Sequence, residues 1–584
     1  MLRGKLMGSK SSLLESALSD LIIYNGKVVT VDKHFSIARA IAVKNSRILA
    51  VGSDDDVIAL AGKKTRRIDL QGSTVLPGIN DAHIHASLFG GTRPPVVLDV
   101  SYPAVKSIDD LVNTIGEKAK SAKPGEWIRG MGLDPVLLNE CQKNSGRYPT
   151  RWDLDRISPD NPVYIGAIPF RGERIVLFNS RAWNLTGIHK DTPFARGGEV
   201  VKDPGTGEFT GLVRGMLADD LVTGTVPLLI REQKRQALLT AMHDLNALGI
   251  TSITEPSLGP AGALVYGGLW DSECISLYND LNNEGKLTVR VSILLLFTPY
   301  GVYHPEELLN GLPGIGIHTG FGNEWLRIAG IKLFADGIPP MKTAWMYEDY
   351  AGGGNGTLIF SGQTDEQRCQ ELRNIVAHAH KLGFQIGVHA TGDRSIDACI
   401  DGFVRAEQEQ PKGLRHYIIH GDFVPGKSAR RMAEYHIGVS VQPALANVMS
   451  GPIAFSVGKE RAANLLPLKT LMEAGVHVSG GSDAPVTLPD WKQGIQAAVL
   501  RESIPGDSSA GSSQRISREQ AIRMYTMEGA WQDHMEQVKG SIEPGKVADF
   551  CILDEDILSV EPNKIKDIRT LMTIAGGKIV YDAR

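Results

Sequence analysis

Two histidines one residue apart, His83 and His85, follow a run of Val, Leu and Ile broken by Pro77 and Gly78. Residues two apart on a β-strand point to one face, so the two imidazoles are expected to project side by side. Two neutral imidazoles so placed make half of a metal site. Alone the pair is weak, because two polar histidines flanking Ile84 would look the same. Side chains elsewhere have to supply the rest. His389 closes the stretch FQIGVHATGD, His420 closes RHYIIHGD, and Asp483 ends the run in VHVSGGSDAPV. Lys332 lies near the end of RIAGIKLFADG, with Asp336 after it. Four imidazoles and a carboxylate suit one or two divalent ions, Zn²⁺ first and otherwise Mn²⁺ or Fe²⁺.

Lys332 admits two readings. It is either a neutral or hydrogen-bonded lysine beside a single ion, or a buried lysine that loses its proton and captures CO₂. The resulting carbamate is an anionic, bidentate ligand able to bridge two ions. Asp483 is expected to bind metal and take a proton from the water that the metal activates. Bland alternatives exist for single residues. His389 could be a satisfied core histidine, Asp393 the N-cap of the helix it precedes, and Asp336 the cap of a turn. His416 shares a face with His420 but lies deeper, and reads as structural; His378, His380 and His436 read as surface residues. Jointly the bland readings fail, since such residues recur at the ends of several candidate strands.

Those strands imply the scaffold. Eight candidates, at 79–85, 249–255, 288–297, 327–334, 383–389, 416–420, 437–442 and 476–482, alternate with helical stretches. Strand-then-helix alternation signals a parallel sheet, and eight such units close into a TIM (β/α)8 barrel whose chemistry sits at the C-terminal strand ends. The barrel is expected over 79–535, with an insertion at about 92–248 over its mouth. Trp127, Trp152 and Phe170 in that insertion read as core more readily than as pocket. Short β runs over 20–78, with turns at Asn25-Gly26 and Asn45-Ser46, are mirrored over 536–584. Together they predict a small β-sandwich domain built from both chain ends, two separate edge hairpins being the alternative. Residues 1–19 read as a flexible leader, and the small-residue tract at 506–513 as a surface loop.

Composition narrows the setting. A formal charge of -4 over 584 residues gives no electrostatic case for nucleic acid or anionic membranes. No apolar run approaches the roughly 20 residues that span a bilayer. Five scattered cysteines without a CxxC pair argue for a reducing compartment and against thiolate metal binding. A cytoplasmic protein acting on a small molecule is expected, with a homodimer left open.

The stretches LPGINDAHIH, KLFADG, VHATGDRSID, GSDAPV and GSIEPGKVADFCILD resemble the amidohydrolase superfamily, and within it the YtcJ-like branch that includes N-substituted formamide deformylases. The resemblance runs from about residue 20 to the C-terminus. It implies that His83, His85, His389 and His420 bind metal, that Asp483 binds metal and acts as base, and that Lys332 is open to carboxylation. The implied activity is hydrolysis of an amide-type C–N bond other than a peptide bond, by metal-activated water. His420 is a further catalytic candidate, as a donor to the developing oxyanion, while Asp336, Asp393, Glu255 and Arg174 are candidates for support or substrate binding. Deamination, hydrolysis of a cyclic amide or ester, and a silent scaffold remain as rivals. Two departures bear on the substrate: Glu173-Arg174 stands where relatives tend to carry Gly-His, and Ile419 where a Glu would precede the sixth-strand histidine.

Overall fold

The computed structural model describes residues 18–142, 146–168, 174–189, 192, 198–263, 265–298, 305–314, 316–501 and 511–584. Eight parallel strands form its centre: β1 (Ile79–Asp81), β2 (Ile250–Leu258), β3 (Arg290–Leu295), β4 (Leu326–Phe334), β5 (Gln385–Ala390), β6 (Tyr417–His420), β7 (Gly438–Val441) and β8 (Val478–Gly480). They pair in chain order. The last meets the first just past their ends, where Ala82 N donates to Gly480 O at 3.0 Å and Asp483 N to His83 O at 2.8 Å. A TIM-like barrel results. Its strands were readable because strands buried on both faces are nearly continuous apolar runs; every residue of β2 and β3 is buried.

The first strand is shorter than expected. It stops at Asp81, because the Asp81 carboxylate accepts from His83 N at 3.2 Å and from Ser482 N at 3.0 Å. That local side-chain bond draws the chain out of the ladder. His83 and His85 therefore sit on a turn, with His85 at the N-cap of helix Ala86–Gly91.

Strands from the two chain ends share a six-stranded sheet, in which Phe550–Leu553 pairs with Thr74–Pro77. A four-stranded sheet from the N-terminal segment packs on it through Leu21, Ile41, Val75, Phe550 and Ile574. Asn45 and Ser46 both have positive φ, 48° and 64°, as a two-residue hairpin turn requires. Arg290, which opens β3, reaches Asp549 through Nε at 2.7 Å and Nη2 at 3.0 Å, and so bolts the barrel to this sheet.

The expected insertion holds a second six-stranded sheet and helix Ile108–Ser121. Trp127 packs against an apolar cluster there, and Arg151 lies over the Trp152 ring. Helix Arg231–Ala247 instead lies along Ala86–Gly91 and against β2. Phe170, Glu173, most of the leader and part of the 506–513 tract lie outside the described residues.

Candidate metal centre

The C-terminal strand ends bring the histidines and Asp483 together. His420 ends β6 with φ 74°, and Asp483 follows β8 with φ 58°. Positive φ is uncommon outside glycine and costs about 1–3 kcal/mol; here it accompanies the approach of both side chains to His83. His83 Nε2 and His85 Nε2 each lie 3.3 Å from Asp483 Oδ1. Ligand atoms of His83, His420 and Asp483 lie within 4.8 Å of one another. The His389 and His420 ring centroids are 4.5 Å apart, and those of His83 and His420 5.4 Å. Gly481 permits this closeness, since a Cβ there would stand 2.7 Å from His83 N.

Hydrogen bonds fix which nitrogen each ring presents. His389 Nε2 donates to Gly337 O at 3.0 Å, which leaves Nδ1 with its lone pair. His420 Nδ1 faces Gln442 Oε1 at 2.7 Å, which leaves Nε2. His85 Nδ1 is buried without a hydrogen-bond partner, and its ring lies on Trp270 at 4.6 Å between centroids. Metal-binding histidines typically use one nitrogen for the ion and the other for a fixed acceptor, and His389 and His420 have that arrangement.

Charge states agree. Burial pushes His83 down to about 4 and His389 to about 3, and holds His420 well below the usual imidazole range. All three are neutral at pH 7, as ligands must be. Burial opposes the Asp483 carboxylate, but hydrogen bonds from His83 and His85 outweigh it and keep Asp483 ionised. Lys332, buried in β4 beneath Phe334, is pushed down to about 7 by burial, with Asp483 opposing. A lysine so depressed carries a substantial neutral fraction, the form that carbamate chemistry needs. A buried set of neutral imidazoles and one carboxylate fits a divalent ion of the zinc type.

Other candidates fall around this centre. Glu255 in β2 is fully buried; it accepts from Ser87 N at 2.7 Å and from the Tyr278 hydroxyl, and so anchors the helix that follows His85. Asp336 caps no simple turn. It accepts from Trp345 N, Thr391 N and Gly392 N at 2.9, 3.1 and 2.9 Å and from Ser395 Oγ, tying the loop after β4 to the loop after β5. Asp393 is the first residue of its helix rather than the N-cap, which is Gly392; its Oδ1 accepts from Tyr347 N at 2.9 Å. Arg174 pairs with Asp219 within the insertion. His380, read as a surface residue, is buried and bonded to His416 at 2.9 Å. Asp81, Trp270 and Gln442 adjoin the site without being singled out by residue type or spacing. For Gln442 a signal existed, since it closes the seventh candidate strand.

A model described as "Amidohydrolase family" matches residues 66–581. Among curated relatives, Protein LONG AFTER FAR-RED 3 of Arabidopsis thaliana is 29% identical over 97% of this chain and 92% of its own length. YtcJ of Bacillus subtilis is 28% identical over 96% of this chain and 99% of its own. N-substituted formamide deformylase of Arthrobacter pascens is 27% identical over 97% and 99% respectively. Among solved structures, an uncharacterized metal-dependent hydrolase from Pyrococcus furiosus matches at 26% identity and a TM-score of 0.71, covering 92% of this chain and 100% of that one.

Proposed function

The chain belongs to the amidohydrolase family, and from that premise we propose that it is a metal-dependent hydrolase of an amide-type, non-peptide C–N bond, with N-substituted amides and formamides as the substrate class. The likeness to N-substituted formamide deformylase supports the class. The observation that carries the chemistry is the convergence of His83, His420 and Asp483, with His85 Nε2 also against Asp483 Oδ1. In this reading His83, His85, His389, His420 and Asp483 would hold the metal, zinc first, and Lys332 would either stay a neutral lysine beside a single ion or, as its carbamate, help to hold a second.

A divalent ion held there supplies Lewis acidity, lowering the pKa of water from 15.7 to about 7 and polarising the substrate carbonyl. Asp483 does the proton work. Its carboxylate accepts a proton from the attacking water as the C–O bond forms, then delivers it to the nitrogen as the C–N bond breaks. His420, its Nδ1 proton held by Gln442 Oε1, would act by holding the ion that stabilises the developing oxyanion. The products are a carboxylic acid, formate where the substrate is a formamide, and a free amine. Burial of the site keeps bulk water from competing for these charges.

The same reading divides the chain into a leader (1–19), a composite β-sandwich domain (20–78 with 536–584) and the barrel (79–535) carrying its insertion (about 92–248). It places the protein in the cytoplasm, in keeping with its free cysteines.

The test combines metal analysis of the purified protein with a screen of N-substituted formamides and amides, read as amine release. Wild type should carry at least one metal ion per chain and turn over a member of the panel. Asp483→Asn should keep the fold and lose 10²–10⁴-fold in kcat, the usual worth of a positioned base. Near-normal turnover in that variant would refute the assignment, and ammonia release from a heterocycle would replace amide hydrolysis with deamination.

A further inference from the structure

We infer that Gln442 is a positioning residue that fixes which nitrogen of His420 faces the metal centre, an inference that rests on the metal-dependent reading above. Gln442 follows β7 and occupies the N-cap position of helix Pro443–Val457. N-cap side chains normally accept a backbone N–H from their own helix, yet Gln442 makes no such bond. Its amide is committed elsewhere. Nε2 donates to Ser440 O at 3.1 Å, and Oε1 lies 2.7 Å from His420 Nδ1.

A carboxamide has one donating end and one accepting end. The Ser440 carbonyl can only accept, so it holds the amide nitrogen, and the oxygen must face His420. Facing an oxygen, Nδ1 must carry the proton. His420 Nε2 is thereby left as a lone pair on the side of His83 and Asp483. The opposite tautomer would set two lone pairs against each other at Nδ1 and place a proton where a ligand is needed. Both groups are buried, so water is no ready substitute for the lost acceptor. His389 is held in the same manner, but by the backbone carbonyl of Gly337. At His420 the orienting group is a side chain, which substitution can remove.

Two variants separate this role from a packing role. Gln442→Met keeps length and volume but removes the acceptor; Gln442→Glu keeps an acceptor. Zinc affinity is measured by chelator competition. The His420 tautomer is read by ¹⁵N NMR of the metal-free, histidine-labelled full chain, with His420→Gln assigning the resonance. Wild-type His420 should be protonated on Nδ1. Gln442→Met should bind zinc 10–100-fold more weakly, the usual cost of losing such a partner, and its Nδ1 signal should move toward the unprotonated position. Gln442→Glu should stay within a few-fold of wild type. Wild-type His420 protonated on Nε2 would overturn the inference, whether or not any variant folds. So would equal zinc affinity in wild type and Gln442→Met, or equal losses in both variants with His420 unmoved. A wild-type protein that takes up no zinc would instead defeat the metal reading, while the metal-free spectrum still reports the tautomer.

Discussion

Asp336 offers a perturbation whose size follows from the hydrogen bonds it collects. Its carboxylate has no exposure and accepts three backbone N–H groups and one hydroxyl, from Trp345, Thr391, Gly392 and Ser395. Burial pushes its carboxyl up to about 6, while the four donors oppose the rise by favouring the carboxylate. Asp336→Ala strands the three backbone donors in a buried site, while Ser395 Oγ keeps the Gly392 carbonyl at 2.8 Å. At about 1 kcal/mol per orphaned backbone donor the loss is at least about 3 kcal/mol, and the ionised acceptor raises that to about 5 kcal/mol. Asp336→Asn keeps one oxygen, and its cost should be about half. The damage should spread to the metal centre, because Gly337 O, next in the chain, holds both His389 Nε2 at 3.0 Å and Thr391 Oγ1 at 2.8 Å. Urea unfolding followed by tryptophan emission reads the first effect, with Trp345 directly bonded to Asp336. Chelator competition for zinc reads the second, where roughly a tenfold loss is expected for a disturbed ligand partner. An Asp336→Ala protein that unfolds at the wild-type urea concentration would refute the reasoning. So would an Asn variant as damaged as the Ala variant.

Two further predictions concern stability. Asp549→Ala should cost about 3–5 kcal/mol in urea unfolding, since it leaves the buried Arg290 guanidinium uncompensated; an effect under 1 kcal/mol would show that water reaches the pair. His416 should make the metal-free protein acid-sensitive. Its Nδ1 accepts from Ile386 N at 3.0 Å and its Nε2 faces His380 Nδ1 at 2.9 Å, so no site remains for a second proton. Burial, with His380 close beside it, pushes its pKa down to about 3. The unfolded chain, with an ordinary value near 6.5, binds the proton first. Stability from this residue is therefore whole above about pH 6.5 and falls as pH drops toward 3, approaching about 1.4 kcal/mol per pH unit. His416→Asn should flatten the decline between pH 6.5 and 5, and an unchanged slope would remove His416 as its source.

The sequence carried the barrel well because its strands are apolar runs and its chemistry-bearing residues stand at their ends. The misses have local causes. The first strand was read through to His85 because the pattern shows apolar continuity but not that Asp81 would bond His83 N. Asp393 looked like an N-cap, but helix Asp393–Glu409 begins one residue earlier. Gly392 is confined there, since a Cβ would lie 2.2 Å from Trp345 O. His380 was legible and misread. Leu372, Ile375, Val376 and Ala379 define the buried stripe of helix Asp365–Lys381, and residue 380 falls on it.

What spacing could not deliver is the state of each ligand. Two histidines a residue apart indicate where their rings point, but which nitrogen is free depends on the partner at the far side of the ring. For His389 that partner is the carbonyl of Gly337, 52 residues away, and for His420 the amide of Gln442, 22 residues on. Neither is bound to its histidine by any periodicity, because strand order and register bring them together. The contrast with His85 sharpens the point: its Nδ1 has no acceptor, and its ring is held by the tilted Trp270 ring against it and by the Glu255 anchor on Ser87. Rotation of the His389 and His420 rings would break a hydrogen bond on the side away from Asp483, whereas on that side His85 is restrained by packing alone. Among these three rings, His85 is therefore the one whose orientation should respond most to a change in neighbouring volume, and His420 the one that should respond most to a change in neighbouring polarity.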